Sequence, residues 1–159
     1  MKILIVSDTH GYHQHLKTIL KLVEPVDLMI HLGDIEGGEE LIRSMTQCET
    51  YMIAGNNDFF SNLEREKEFT LGKYRILMTH GHYYYVSMGK ERIKQEGMER
   101  HVDIVMYGHT HRPELDIGKD ITVLNPGSVS LPRQEGRRPS FIIMEIDNKG
   151  EAHYTVKYL

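Results

Sequence analysis

Residues 3–11 read Ile3-Leu4-Ile5-Val6-Ser7-Asp8-Thr9-His10-Gly11. A short apolar run stops abruptly on polar groups and a glycine, the mark of a buried strand that ends in a loop. The pattern recurs at Asp27–Leu32, Thr50–Ala54, Tyr74–Met78, Asp103–Tyr107 and Ile121–Leu124. Between the early runs lie helical stretches. His13 to Val23 carries Leu16, Ile19, Leu20 and Val23 at i, i+3, i+4, i+7 spacing, and Pro25 ends it. Glu39 to Met45 predicts a shorter helix with Leu41, Ile42 and Met45 on one face, and Val86 to His101 predicts a third, more polar one. The first half therefore reads β-α-β-α-β, a mainly parallel sheet with right-handed crossovers. The second half adds strands at Glu68–Leu71, Phe141–Ile146 and His153–Lys157, the last two forming a hairpin across Asp147-Asn148-Lys149-Gly150. So many strands imply an α/β protein with two sheets face to face and helices outside.

The remaining composition agrees with one globular domain spanning residues 1–159: hydrophobic content is 40% and charged content 26%. Lys+Arg 19 against Asp+Glu 23 gives a net charge of −4, which argues against long nucleic acid as a partner. The single cysteine, Cys48, excludes an internal disulfide and a thiolate metal cluster. The Ile3–Val6 run is too short for a signal-peptide core or a membrane span, so the expected location is the cytoplasm, with no membrane partner.

The residues after each run share a chemistry. Asp8 and His10 follow the first, Gly33-Asp34 the second, Gly55-Asn56-Asn57-Asp58 the third, Thr79-His80-Gly81-His82 the fourth and Gly108-His109-Thr110-His111 the fifth. Successive steps from Asp8 to Asp34, Asn56, His80 and His109 are 26, 22, 24 and 29 residues. Each is about one strand-plus-crossover unit, ≈ 30 residues, so the chain returns to the carboxyl edge of a sheet, where ligands bind. Asp8 and His10, like His109 and His111, are two residues apart, and in extended chain such residues face the same side. A lone Asp after a strand is usually a turn residue. Five successive strand ends bearing Asp, Asn or His, none bearing Lys or Arg, point instead to a shared metal site.

Asp8, His10, Asp34, Asn56, His80, His109 and His111 are too many donors for one tetrahedral zinc, but they suit two divalent ions sharing a ligand. Asp34, alone at its strand end, is the natural bridge. Two divalent ions, two carboxylates and a bridging hydroxide leave a residual positive charge, which suits an anion and its developing charge. Such a centre hydrolyses phosphoesters with a metal-bound hydroxide and needs no Ser, Cys or Lys nucleophile. The donor types suit manganese, iron, zinc or nickel without choosing among them, and manganese is the expected ion.

The ordered set D-T-H, G-D, G-N-N-D, T-H-G-H and G-H-T-H resembles the calcineurin-like metallophosphoesterase superfamily. The short length and the run Asn125-Pro126-Gly127-Ser128-Val129-Ser130-Leu131-Pro132-Arg133 resemble its small bacterial and archaeal phosphodiesterase branch. The resemblance covers essentially the whole chain. It implies a four-layer αββα sandwich of two mixed sheets flanked by helices. It also implies one metal on Asp8, His10, Asp34 and His111 and a second on Asp34, Asn56, His80 and His109. Asn57 stands where larger enzymes of the superfamily carry a histidine that helps the leaving group or steadies the transition state. Asn donates a hydrogen bond but supplies no proton at neutral pH, so the expected substrate is a small phosphodiester with a good leaving group. The expected catalytic residues are Asp34, Asn57, His80 and His82, the last facing the side of His80.

Weaker signals remain. Asp58 orients an imidazole, fixes its loop or serves simply as a turn residue. Tyr83-Tyr84-Tyr85 packs against the body or stacks on a ring. His13 and His15 are expected to be exposed and His31 to pack within its strand. His101 and His153 have no partners in sequence. Asn125 to Ser128 lines the cleft or its surround, and Arg133, Arg137 and Arg138 face an anion, another subunit or water. Tyr-rich and Met-rich stretches would build a homodimer face or the core. The competing functions are a protein-binding scaffold of the same fold and a nuclease.

Overall fold

The computed structural model describes residues Met1–Leu159. The strands are β1 (Lys2–Val6), β2 (Leu28–His31), β3 (Glu49–Met52), β4 (Glu66–Leu71), β5 (Tyr74–Thr79), β6 (Ile104–Met106), β7 (Pro113–Ile117), β8 (Thr122–Pro126), β9 (Ser140–Ile146) and β10 (Ala152–Tyr158); the helices are α1 (Gln14–Val23), α2 (Glu39–Met45) and α3 (Glu91–Glu99). They form two mixed five-stranded sheets, ordered β10-β9-β1-β2-β3 and β4-β5-β6-β8-β7. The parallel centre of the first sheet aligns Val6 with His31 and His31 with Met52; that of the second aligns Met78 with Met106 and Met106 with Leu124. Parallel strands in register end level, so the loops that follow them emerge on one edge.

Alternation along the strands divides the core. Ile3, Ile5, Leu28 and Ile30 of one sheet meet Ile76, Met78, Ile104 and Met106 of the other in the apolar layer between sheets. The opposite faces of β1 and β2, Leu4, Val6 and Met29, pack on Leu16, Ile19 and Leu20 of α1 and Ile42 of α2. Leu77, Val105 and Val123 pack on Ile93 of α3. The result is four layers, helices–sheet–sheet–helix, as the sequence implied. Full burial of each such aliphatic side chain contributes about 1.5–3 kcal/mol.

The structure adds one strand to the sequence reading and corrects two of its helices. β7 has no apolar run behind it; it is an edge strand antiparallel to β8, half-buried along most of its length, so its alternation is weak. α3 begins at Glu91, not Val86, because the preceding segment is occupied by turns and Gly89 at φ 145°. Leu41 is 52% exposed on α2, where Ile42 alone is buried. No helix is long and apolar enough to cross a membrane.

Candidate metal centre

The loops after β1 and β2 continue side by side beyond the strands. Asp8 N donates to Gly33 O, His10 N to Asp34 O and Gly11 N to Ile35 O, at 3.0, 2.9 and 2.8 Å. This ladder brings the Asp8–His10 pair against Asp34. Within the second sheet Gly108 N donates to His80 O at 3.1 Å, and His109 N joins that sheet to the first by donating to Asp8 Oδ2 at 3.1 Å.

The donors reach one cavity differently from the sequence reading. Asp8, His10, Asp34, His109 and His111 have φ of 56°, 46°, 54°, 69° and 57°. These non-glycine residues lie in the left-handed region, at a cost of about 1–2 kcal/mol apiece, so the paired donors are not extended. Such strain persists where its surroundings over-determine it and clusters at functional sites.

The side chains converge. Asp8 Oδ1 lies 3.1 Å from His111 Nε2, 3.7 Å from His10 Nε2 and 4.0 Å from His80 Nε2. Asp34 Oδ2 lies 3.5 Å from His80 Nε2 and 3.8 Å from His10 Nε2. Asn56 Oδ1 is 3.1 Å from His80 Nε2, and the His109 ring stands 5.2 Å from that of His80. Two groups, Asp8–His10–His111 and Asp8–Asp34–His80, have donor atoms close enough to hold a metal ion.

The proton positions show why a cation fits. His80 Nδ1 lies 2.7 Å from Leu32 O, His111 Nδ1 2.7 Å from Leu131 O and His10 Nδ1 2.5 Å from Glu36 Oε1. Carbonyl and carboxylate oxygens accept, so each Nδ1 donates, which leaves Nε2 as the inward-facing atom with the lone pair when the ring carries one proton. The Nε2 atoms of His10 and His111 face each other at 3.1 Å, and the buried Asp8 Oδ1 has no hydrogen-bond partner. Acceptors facing acceptors need a positive charge between them. Burial works against the Asp8 and Asp34 charges, yet the neighbouring imidazoles outweigh it and hold both carboxyls below the ordinary range, Asp34 far below. Burial likewise opposes a charge on His80, and the same two carboxylates overcome it and raise its pKa.

Asn57 is committed locally: its backbone N and Nδ2 donate to the two oxygens of Asp34 at 2.8 and 2.7 Å. His82 lies beside the group, its ring 5.4 Å from His80, with a buried Nδ1 that has no partner. Burial and the nearby His80 and His109 push its pKa down to about 4, so it is neutral at pH 7.

Asp58 fixes its loop. Its carboxylate accepts from the backbone N–H groups of Gly55, Ile35 and Glu36 at 2.7, 3.2 and 2.6 Å, tying the loops after β2 and β3 together. Asp58→Ala is expected to strand these donors and lower stability by about 3 kcal/mol, read as the denaturant midpoint of the metal-free protein. An unchanged midpoint would contradict this role.

Sequence reasoning missed Glu36, the carboxylate that orients His10. It also left Asn125 to Ser128 undecided. Asn125 Nδ2 donates to Gly108 O and Thr110 Oγ1, and Ser128 and Ser130 hydroxyls both donate to Asp8 O. Those contacts make the segment a brace behind the donors. His31 packs as expected, 3.1 Å from Thr9 Oγ1, with burial pushing its pKa down to about 4. His13 and His15 are half-buried rather than exposed, bonded to Gly37 O and Val129 O. The tyrosine run divides: Tyr84 donates to Glu66, whereas Tyr83 and Tyr85 are exposed beneath Arg65 and Arg92.

A family model described as the calcineurin-like phosphoesterase superfamily domain matches residues 1–149. A probable metallophosphoesterase of Bacillus subtilis is 35% identical over 150 residues, covering 93% of this chain and 86% of the relative. A phosphodiesterase of Methanocaldococcus jannaschii is 28% identical over 145 residues, covering 80% and 83%. The crystal structure of a predicted phosphoesterase from Streptococcus pneumoniae superposes with a TM-score of 0.80 at 25% identity, covering 98% of this chain and 97% of that one.

Proposed function

The chain belongs to the calcineurin-like phosphoesterase superfamily, and from that premise we propose that it is a metal-dependent hydrolase of small phosphodiesters. The observation that carries this reading is the convergence of acceptor atoms around the unpartnered Asp8 Oδ1. One divalent ion would be held by Asp8, His10, Asp34 and His111, and a second by Asp34, Asn56, His80 and His109. Manganese suits this oxygen-and-imidazole set. When bound, such ions supply Lewis acidity toward phosphoryl oxygens and acidify water.

The chain's own residues do the positioning. Leu32 O, Leu131 O and Glu36 lock the His80, His111 and His10 tautomers with Nε2 directed inward. Asn57 holds Asp34 with two hydrogen bonds, which prevents rotation of the shared carboxylate. Neutral His82, its ring 5.4 Å from that of His80, would contact the substrate beside the donors. Asn57 supplies no proton to a departing oxygen, so the enzyme relies on good leaving groups.

The test compares bis-p-nitrophenyl phosphate with p-nitrophenyl phosphate at saturating Mn²⁺. The expected result is metal-dependent, chelator-sensitive hydrolysis with kcat/KM at least about tenfold higher for the diester, which has the lower charge and one good leaving group for each departure. Hydrolysis that ignores chelator, or a preference for the monoester, overturns the proposal.

A further inference from the structure

A cavity of about 690 Å³ opens beside the metal-site loops, lined by Ser87, Lys90, Tyr107, Thr110, Arg112 and Arg133, among others. Thr110 stands between His109 and His111, Arg112 follows His111, and Arg133 N donates to His111 O at 2.9 Å. The cavity is therefore built onto the backbone that carries two of the donors.

Its arginines are unusual in this molecule. Of nine arginines, six are engaged: Arg43 and Arg138 on carbonyl oxygens, Arg75 and Arg100 on carboxylates, Arg65 and Arg92 over tyrosine rings. Arg112, Arg133 and Arg137 have no such partner, and Arg112 and Arg133 line this cavity. The lining carboxylates do not neutralise them. Glu114 is taken by Lys90 and by the Tyr107 hydroxyl, and Glu91 leaves one negative charge against the two free guanidinium groups. A protein of net charge −4 thus keeps a locally cationic hollow next to its metal-site loops.

We propose that this hollow is an anion subsite, in which Arg112 and Arg133 bind a second phosphate carried on one arm of the phosphodiester substrate. Two guanidinium forks match phosphate oxygens in geometry and charge. The inference rests on the phosphodiesterase reading and narrows it: the preferred substrates are diesters bearing an additional phosphate, such as phosphorylated nucleotide esters.

The test uses the p-nitrophenyl ester of thymidine 5′-phosphate with and without a 3′-phosphate. Each loses p-nitrophenolate as water adds to phosphorus, so the two differ only in the distal anion. For the wild-type enzyme kcat/KM should be about tenfold higher with the 3′-phosphate, and the advantage should shrink as salt rises. In the Arg112→Ala/Arg133→Ala double variant the ratio between the two esters should fall to about one. Equal kcat/KM in the wild type, or an advantage that survives the double substitution, overturns the subsite. Calorimetric binding of thymidine 3′,5′-bisphosphate against thymidine 5′-phosphate gives a readout free of turnover. An arginine-dependent preference there without hydrolysis of either ester would retain the subsite and refute the diesterase reading.

Discussion

Asp34→Asn is expected to lower metal-dependent phosphodiester turnover by about 10³-fold, the scale of losing a principal electrostatic group in an active site, while the metal-free protein stays folded. Asp34 sits at the junction of the cluster. Its Oδ2 lies 3.5 Å from His80 Nε2 and 3.8 Å from His10 Nε2, and Asn57 holds both its oxygens. The amide has the same shape and keeps an acceptor toward Asn57, so packing survives. What disappears is a negative charge that both proposed metal ions would share. The His80 imidazole also loses one of the two carboxylates that raise its pKa. Three measurements check the expectation together: turnover at saturating Mn²⁺, metal bound per chain by elemental analysis, and the melting temperature after chelation. Metal content should fall by at least one ion per chain relative to the wild type. A variant that turns over normally would remove Asp34 from the chemistry.

The second large effect is steric. Gly55→Ala is expected to destabilise the metal-free protein by about 3 kcal/mol and to abolish metal loading. A Cβ at position 55 would collide with Asp34 Oδ1 and Asp34 N and would stand 2.8 Å from Asp34 Cγ. The backbone of one strand-end loop and the functional group of the next occupy adjoining space, and no flexible side-chain tip can yield. Gly136→Ala is the comparison. Nothing lies within 4 Å of its added Cβ, and the strain of φ +76° alone should cost about 1 kcal/mol. For a chain of this length the Gly55 variant should melt about 10 °C lower. A Gly55 variant as stable as the Gly136 variant would show that the loops can part without loss.

The architecture was readable because its signals are local. Runs such as Ile3–Val6 are wholly buried between a helix layer and a second sheet, and α1 keeps Leu16, Ile19, Leu20 and Val23 on one buried face. The meeting of the donors followed from their even spacing at the carboxyl ends of parallel strands, although those strands belong to two sheets rather than one. What escaped the reading depends on contacts far apart in sequence. β7 owes its existence to pairing with β8, not to its own pattern. Leu41 points to solvent because Ile42 takes the one buried position of α2. Glu36 is separated from His10 by 26 residues and carries no motif, yet it sets the tautomer of that ring. The donor pairs were expected to share a side through extended backbone, and they do so through left-handed turns that loop hydrogen bonds to distant strands hold in place.

Those turns have a consequence for laboratory evolution. Glycine at Asp8, His10, Asp34, His109 or His111 would relax the main chain. A library selected for heat resistance in chelator should therefore drift toward a sturdier, inert protein, whereas the same library selected with Mn²⁺ present should keep every one of these residues. In this fold the ion would act as the guardian of the local conformations that receive it, and its presence during selection would decide which lineage survives.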